Sequence, residues 1–125
     1  MNIYTSYFAN VGKLPFDAVL ISIARYAPKV WKGKECKSLA PPPALLEKYK
    51  QTHDAGEYTE WFNAVLDRKD IAPYKEMFEI LSVGHDRKEH PIVLLCYERP
   101  GAFCHRHIVA EWLKLNGIPC EEWKG

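Results

Sequence analysis

The stretch Pro91–Leu115, PIVLLCYERPGAFCHRHIVAEWLKL, decides the fold. Ile92–Cys96 is an unbroken apolar run, the pattern of a strand covered on both faces. A Pro-Gly turn follows, and a helix begins at Ala102 or Phe103. In it Ile108, Trp112 and Leu115 form one apolar stripe, with Val109 and Leu113 beside it. Asn116 and Gly117 close that helix. The joint between strand and helix gathers Cys96, Glu98, Arg99, Cys104, His105, Arg106 and His107. A helix start presents free N–H groups and the positive end of its dipole. The joint is therefore suited to binding an anion or lowering a thiol pKa.

Upstream, Ile3–Phe8 reads as a first strand and Ala18–Ala24, AVLISIA, as a second, nearly continuous apolar one. Asn10–Asp17 between them is loop-like. That connection is short for a parallel crossover, so it is either minimal or joins strands that are not simply parallel. Tyr26–Ala40 reads as an ordered loop carrying Lys29, Lys32, Lys34 and Lys37 among Tyr26 and Trp31. Basic residues interleaved with aromatics can hold phosphate and stack a base. The plainer alternative is solvated lysines, with Trp31 packed back on the domain.

Pro43 opens a helix with Leu45, Leu46 and Tyr49 on one side. Tyr58, Trp61, Phe62, Val65 and Leu66 then recur at helical spacing, and core packing is the first reading of that stripe. Asp70 caps a further helix whose apolar stripe is Tyr74, Met77, Phe78 and Leu81. His85–His90 is a charged turn, and Pro119–Trp123 a short edge strand. Alternating strands and helices predict a single α/β domain over residues 1–125: a small, mostly parallel sheet of about four strands flanked by helices in three layers. Arg25 and Cys96 both sit at the carboxyl ends of strands, where such proteins bind ligands.

Composition narrows the class. The 125 residues are 47% apolar and 26% charged with a net charge of +1, so total charge demands neither nucleic acid nor an anionic membrane. No apolar run reaches membrane-spanning length. The first residues lack the basic and apolar blocks of a secretory signal, so four reduced cysteines and a cytoplasmic location are expected.

Helical spacing sorts the joint. His105 falls on the inner side of its helix, where it is either functional or a core histidine bonded to a backbone carbonyl. His107 aligns with Glu111 and Lys114 on a solvent stripe. Cys104, at the helix start beside Arg106, is the expected thiolate. Cys96 ends an apolar strand, where desolvation disfavours ionisation. Glu98 can orient Arg106, assist proton transfer, or pair with Arg99 at the surface. Nine residues separate Cys96 from Arg106, too many for a phosphatase-type cradle. A zinc site drawn from Cys96, Cys104 and one histidine lacks any C-x-x-C pair, so no metal and no cofactor are expected.

LLCYERPGAFCHRHIVAEWL, with ISIARYAPK and YTEWFNAVLDR, resembles the family called domain of unknown function 488, across most of the chain. The resemblance implies a small bacterial or phage α/β domain with its site at Cys96, Glu98, Cys104, His105 and Arg106. It also matches Arg25 to the family's strand-end arginine, with Pro28 just after. Many members carry a full helix between the first two strands, for which Asn10–Asp17 is too short. The expectation is an enzyme acting on a small anionic substrate, a nucleotide or nucleic-acid fragment. In it Cys104 or Cys96 is the reactive thiol, Glu98 and His105 assist, and Arg25, Arg106, Tyr26 and Lys29 bind substrate. A non-catalytic nucleic-acid or nucleotide module and a structural zinc module are the alternatives.

Overall fold

The computed structural model describes residues 1–98 and 103–124. Its strands are β1 (Ile3–Tyr7), β2 (Val19–Ser22), β3 (Lys34–Glu35), β4 (Ile92–Cys96) and β5 (Glu121–Glu122). Its α-helices are α1 (Pro43–Thr52), α2 (Ala55–Asp67), α3 (Ile71–Leu81) and α4 (His105–Leu115). Arg99, the Pro-Gly turn and Ala102 as a helix start lie outside the described residues.

The run Ile92–Cys96 is the centre of a wholly parallel sheet of order β3-β2-β4-β1-β5. Its five residues are all buried, as a strand with neighbours on both edges and layers on both faces must be. The sheet is the expected α/β arrangement with one strand more than the expected four. β3 lies inside the basic loop, pairing Lys34 and Glu35 with Ile21 and Ser22. Two residues are too few to carry a readable period.

The short connection after β1 has a simple explanation. β1 and β2 are not neighbours; each pairs with β4, from opposite sides. Residues 8–18 span that gap with a 3-10 turn at Phe8–Lys13 in place of a helix. They also cover one face of the sheet: the Asn10 amide donates to Ser6 Oγ at 3.1 Å, and Phe16 packs on Tyr4 at 5.8 Å between rings. On the other face Ile3, Ile21, Ile92 and Leu94 meet Phe62 and Leu66 of α2 and Val109, Trp112 and Leu113 of α4.

Local signals place the helices. Pro43 occupies the first turn of α1, and His53, in the left-handed region at φ 52°, ends it. Asp54 caps α2 by accepting from the Glu57 N–H at 3.1 Å, and Asp70 caps α3 through Ala72. α4 starts at His105, because Cys104 is still extended (φ −151°, ψ 142°) and serves as the N-cap. Among the described residues no helix is long and apolar enough to cross a membrane.

Phe62 is fully buried between α4 and the sheet, whereas its neighbour Trp61 is 36% exposed. Phe62→Ala is expected to cost about 3–5 kcal/mol of stability, and Trp61→Ala well under half of that. Urea denaturation followed by circular dichroism checks the pair.

Candidate active site

Because every strand runs the same way, the ends of β2 and β4 open on one edge of the sheet. A cavity of about 360 Å³ lies there, lined by Arg25, Cys96, Glu98, Cys104 and His105, as well as Tyr26, Tyr49, Tyr58 and Phe103. Cys96 comes from the last position of β4, and Cys104 and His105 from the start of α4. Arg25 follows β2, the neighbouring strand, which is why the two strand ends meet.

The aromatic wall is continuous. The Phe103 ring packs 5.5 Å from Tyr49 and edge-on at 5.0 Å to Tyr58. Burial, reinforced by Tyr49, pushes the Tyr58 hydroxyl well above its ordinary pKa, so it stays protonated. Tyr58 belongs to the buried core and also lines the cavity, whereas Trp61 of the same stripe is 36% exposed and does not line it.

The four expected thiols are corrected. Cys96 and Cys104 are joined as a disulfide across their Cα separation of 7.5 Å, while Cys36 and Cys120 are free. Neither Cys96 nor Cys104 is a thiolate in this state, so the expected reactivity belongs to the reduced pair. The guanidinium also favours the other sulfur: Arg106 Nη1 donates to Cys96 Sγ at 3.2 Å, not to Cys104.

Arg106 does not reach the cavity. Its side chain is fully buried, and Nε and Nη2 grip Glu122 at 3.0 and 2.8 Å. Nη1 also donates to the Glu98 carbonyl, so Glu98 orients Arg106 through its backbone, not its carboxylate. Thr5 Oγ1 donates to the same Glu122 carboxylate at 2.6 Å, and the Tyr7 ring lies 5.9 Å from the guanidinium carbon. Glu122 is the site's missed residue. Its only signal was alternation along the short edge strand, which turns one of two adjacent glutamates inward.

Arg25 lines the cavity, yet Nε and Nη2 donate to the carbonyls of Pro41, Lys37 and Ala40. At most one amino group remains for a ligand. Tyr26 stands 66% exposed at the rim, and Lys29 is exposed on the loop beyond it. Trp31 packs back against Phe8 at 5.2 Å and donates to the Lys34 carbonyl, the plainer of its two readings.

His105 is the core histidine bonded to a carbonyl, with Nε2 2.6 Å from the Ile23 oxygen, and it also lines the cavity. A carbonyl only accepts, so Nε2 carries the proton and Nδ1 keeps its lone pair. Burial pushes the ring pKa down to about 4; the Ile23 bond opposes this, and the charge of Arg106 adds to it. The ring is thus neutral near pH 7. His107 is exposed, as its stripe predicted.

Two measurements follow from this geometry. Burial alone would raise the Glu122 pKa, but hydrogen bonds from Arg106 and Thr5 outweigh it and hold the carboxyl below its ordinary value. The pair therefore stabilises the fold above the unfolded pKa of about 4.3 and is lost as pH falls through the folded value. Glu122→Ala, which strands a buried guanidinium, is expected to cost about 3–5 kcal/mol at pH 7. The difference in unfolding free energy between wild type and variant is expected to shrink below about pH 4. In iodoacetamide labelling without reductant, Cys36 is expected to react first, because burial pushes the Cys120 thiol up to about 12. Cys96 and Cys104 are expected to label only after reduction, with the modified peptides quantified by mass spectrometry.

No curated protein and no solved structure matches this chain. A family model does match: that of the active DUF488-N3 subclade, DUF488-N3a, over residues 13–117. That span takes in β2, β4, α4 and the whole cavity edge, and the chain therefore belongs to the DUF488 family.

Proposed function

We propose that the protein is an enzyme acting on a nucleotide or nucleic-acid fragment in the cavity at the carboxyl edge of the sheet. One observation carries this reading: Cys96, Glu98, Cys104 and His105 converge on a cavity that Tyr49, Tyr58 and Phe103 also line. Flat aromatic walls suit a flat ligand, and stacking a base on them is worth about 1–3 kcal/mol. Reactive groups at one end of an otherwise apolar pocket are the arrangement of a catalytic site, and a pure stacking platform would not need them.

The roles divide by position. Tyr49 and Phe103 hold the base. Arg25 Nη1, which makes no hydrogen bond among the described residues, and the exposed Lys29 offer charge to a phosphate at the rim. Arg106 is buried against Glu122 and acts as a positioning residue for Cys96 and for the loop at Glu98. Glu98 moves a proton, and the Cys96–Cys104 pair is the reactive centre. His105, neutral and donating to Ile23, presents Nδ1 to that centre.

A non-catalytic nucleic-acid module remains as a second reading because Lys29, Lys32, Lys34 and Lys37 are all exposed along one loop. The two readings predict different losses. On the enzyme reading, Tyr49→Ala weakens binding of a mononucleotide about 5- to 150-fold. Glu98→Gln leaves that binding within about twofold and abolishes turnover. Saturation-transfer NMR against a panel of mono- and oligonucleotides reads binding, and chromatography of the incubated panel reads turnover. If binding is lost instead on replacing Lys29, Lys32 and Lys34 with Ala, and Glu98→Gln changes nothing, the module reading replaces the enzyme.

A further inference from the structure

Three donor atoms meet beside the cavity. Sγ of Cys96, Sγ of Cys104 and a ring nitrogen of His105 all lie within 4.8 Å of one another, and all three residues are buried. The imidazole is set as a metal-binding histidine is set. Its Nε2–H donates to the carbonyl of Ile23 at 2.6 Å, which fixes the tautomer and the ring plane. That leaves the Nδ1 lone pair 3.9 Å from Cys104 Sγ. Packing a core histidine needs the Ile23 bond and nothing more; it does not require a ring nitrogen beside the Cys96 and Cys104 sulfurs. Cys96 Sγ in turn receives the Arg106 Nη1 hydrogen at 3.2 Å, an outer contact that stabilises negative charge on that sulfur.

We propose that the reduced Cys96–Cys104 pair and His105 hold one divalent transition ion, with zinc the best match. Two thiolates and one imidazole form a soft to borderline donor set that selects zinc over magnesium or calcium. Three protein ligands leave a fourth position. All three residues line the cavity, so that position opens on the ligand space with Glu98 on the same wall. This is the composition of a catalytic ion site, not of a closed structural one.

The required movement is small. Zinc–sulfur bonds of about 2.3 Å place two ligating sulfurs about 3.8 Å apart, and sulfur and nitrogen about 3.5 Å apart. The Cα atoms of the two cysteines already stand 7.5 Å apart, so side-chain rotation suffices to part the sulfurs. The disulfide is then the oxidised, ion-free form of the same site. A thiol or phosphine reductant supplies two electrons, the sulfurs take up two protons, and the reductant leaves as its disulfide or phosphine oxide. Ion binding returns those two protons to solvent as the two S–metal bonds form. No C-x-x-C pair is needed for such a site, because the chain brings these three donors together through the strand-to-helix joint.

The inference uses the same cavity as the nucleotide reading but does not depend on it. The test is cobalt titration of the full chain after reduction with tris(2-carboxyethyl)phosphine and removal of the reductant without air. The expected result is saturation at one equivalent, with sulfur-to-cobalt charge-transfer bands and the intense visible bands of a tetrahedral site, both lost on adding zinc. Cys36→Ser/Cys120→Ser is expected to keep the spectrum, and Cys96→Ser or Cys104→Ser to lose it. Zinc is also expected to slow iodoacetamide labelling of Cys96 and Cys104 in the wild type at least tenfold, reversed by a chelator; this readout needs no variant to fold. Absence of charge-transfer bands at one equivalent, or unchanged labelling with zinc, would overturn the proposal. A cobalt spectrum without nucleotide binding would sink the substrate reading alone, and nucleotide binding without the spectrum would sink the metal reading alone.

Discussion

A guanidinium shut away from water governs this molecule. Burying the Arg106 guanidinium is tolerable only because Glu122 takes it in a two-point grip and Thr5 steadies the carboxylate. Through that cluster the first turn of α4, the end of β4, the loop at Glu98 and the strands β1 and β5 are held in one arrangement. The cavity depends on the same cluster, although Arg106 is not in its wall. Remove the charge pair and the strand-to-helix joint loses what fixes its angle.

Some of this was legible in the chain and some was not. Ile92–Cys96 announced a central strand because continuous burial on both faces leaves no polar alternation to confuse it. The stripe Tyr58–Leu66 announced α2 for the complementary reason, a long run at one period. His107 could be set aside because its helical neighbours are charged. β3 and the bond partners of Arg25 were beyond reach: the first has two residues, and the second are backbone carbonyls, which any sequence supplies. The partner of Arg106 was also beyond reach: Glu122 meets it only through the pairing of β5 with β1, 16 residues further along the chain.

The site combines two surfaces of opposite character. One is aromatic and closely packed, from α1, α2 and Phe103. The other is a ring of sulfur, imidazole and backbone dipoles from the ends of β2 and β4 and the start of α4. Neither surface belongs to a single element, so no one motif could describe it. The joint that the sequence singled out is where the cavity lies, since a strand leading into a helix concentrates short-range chemistry. The misplaced part was the assumption that two arginines nearby must both face the ligand. Buried arginines satisfy carbonyls and carboxylates first, and only the remainder is free for binding.

The pairing of Thr5 with Glu122 joins residues 117 positions apart. Cys96 and Cys104 are only 8 apart. Loop-closure entropy makes the second encounter far more frequent in an unfolded chain, and contacts of long sequence separation delay folding. In an oxidising medium the two sulfurs can therefore meet before the sheet exists, whereas the grip on Arg106 arrives with the last strand. Under such conditions the covalent link can precede the architecture, whereas in a reducing medium the same chain builds its cavity with both thiols free.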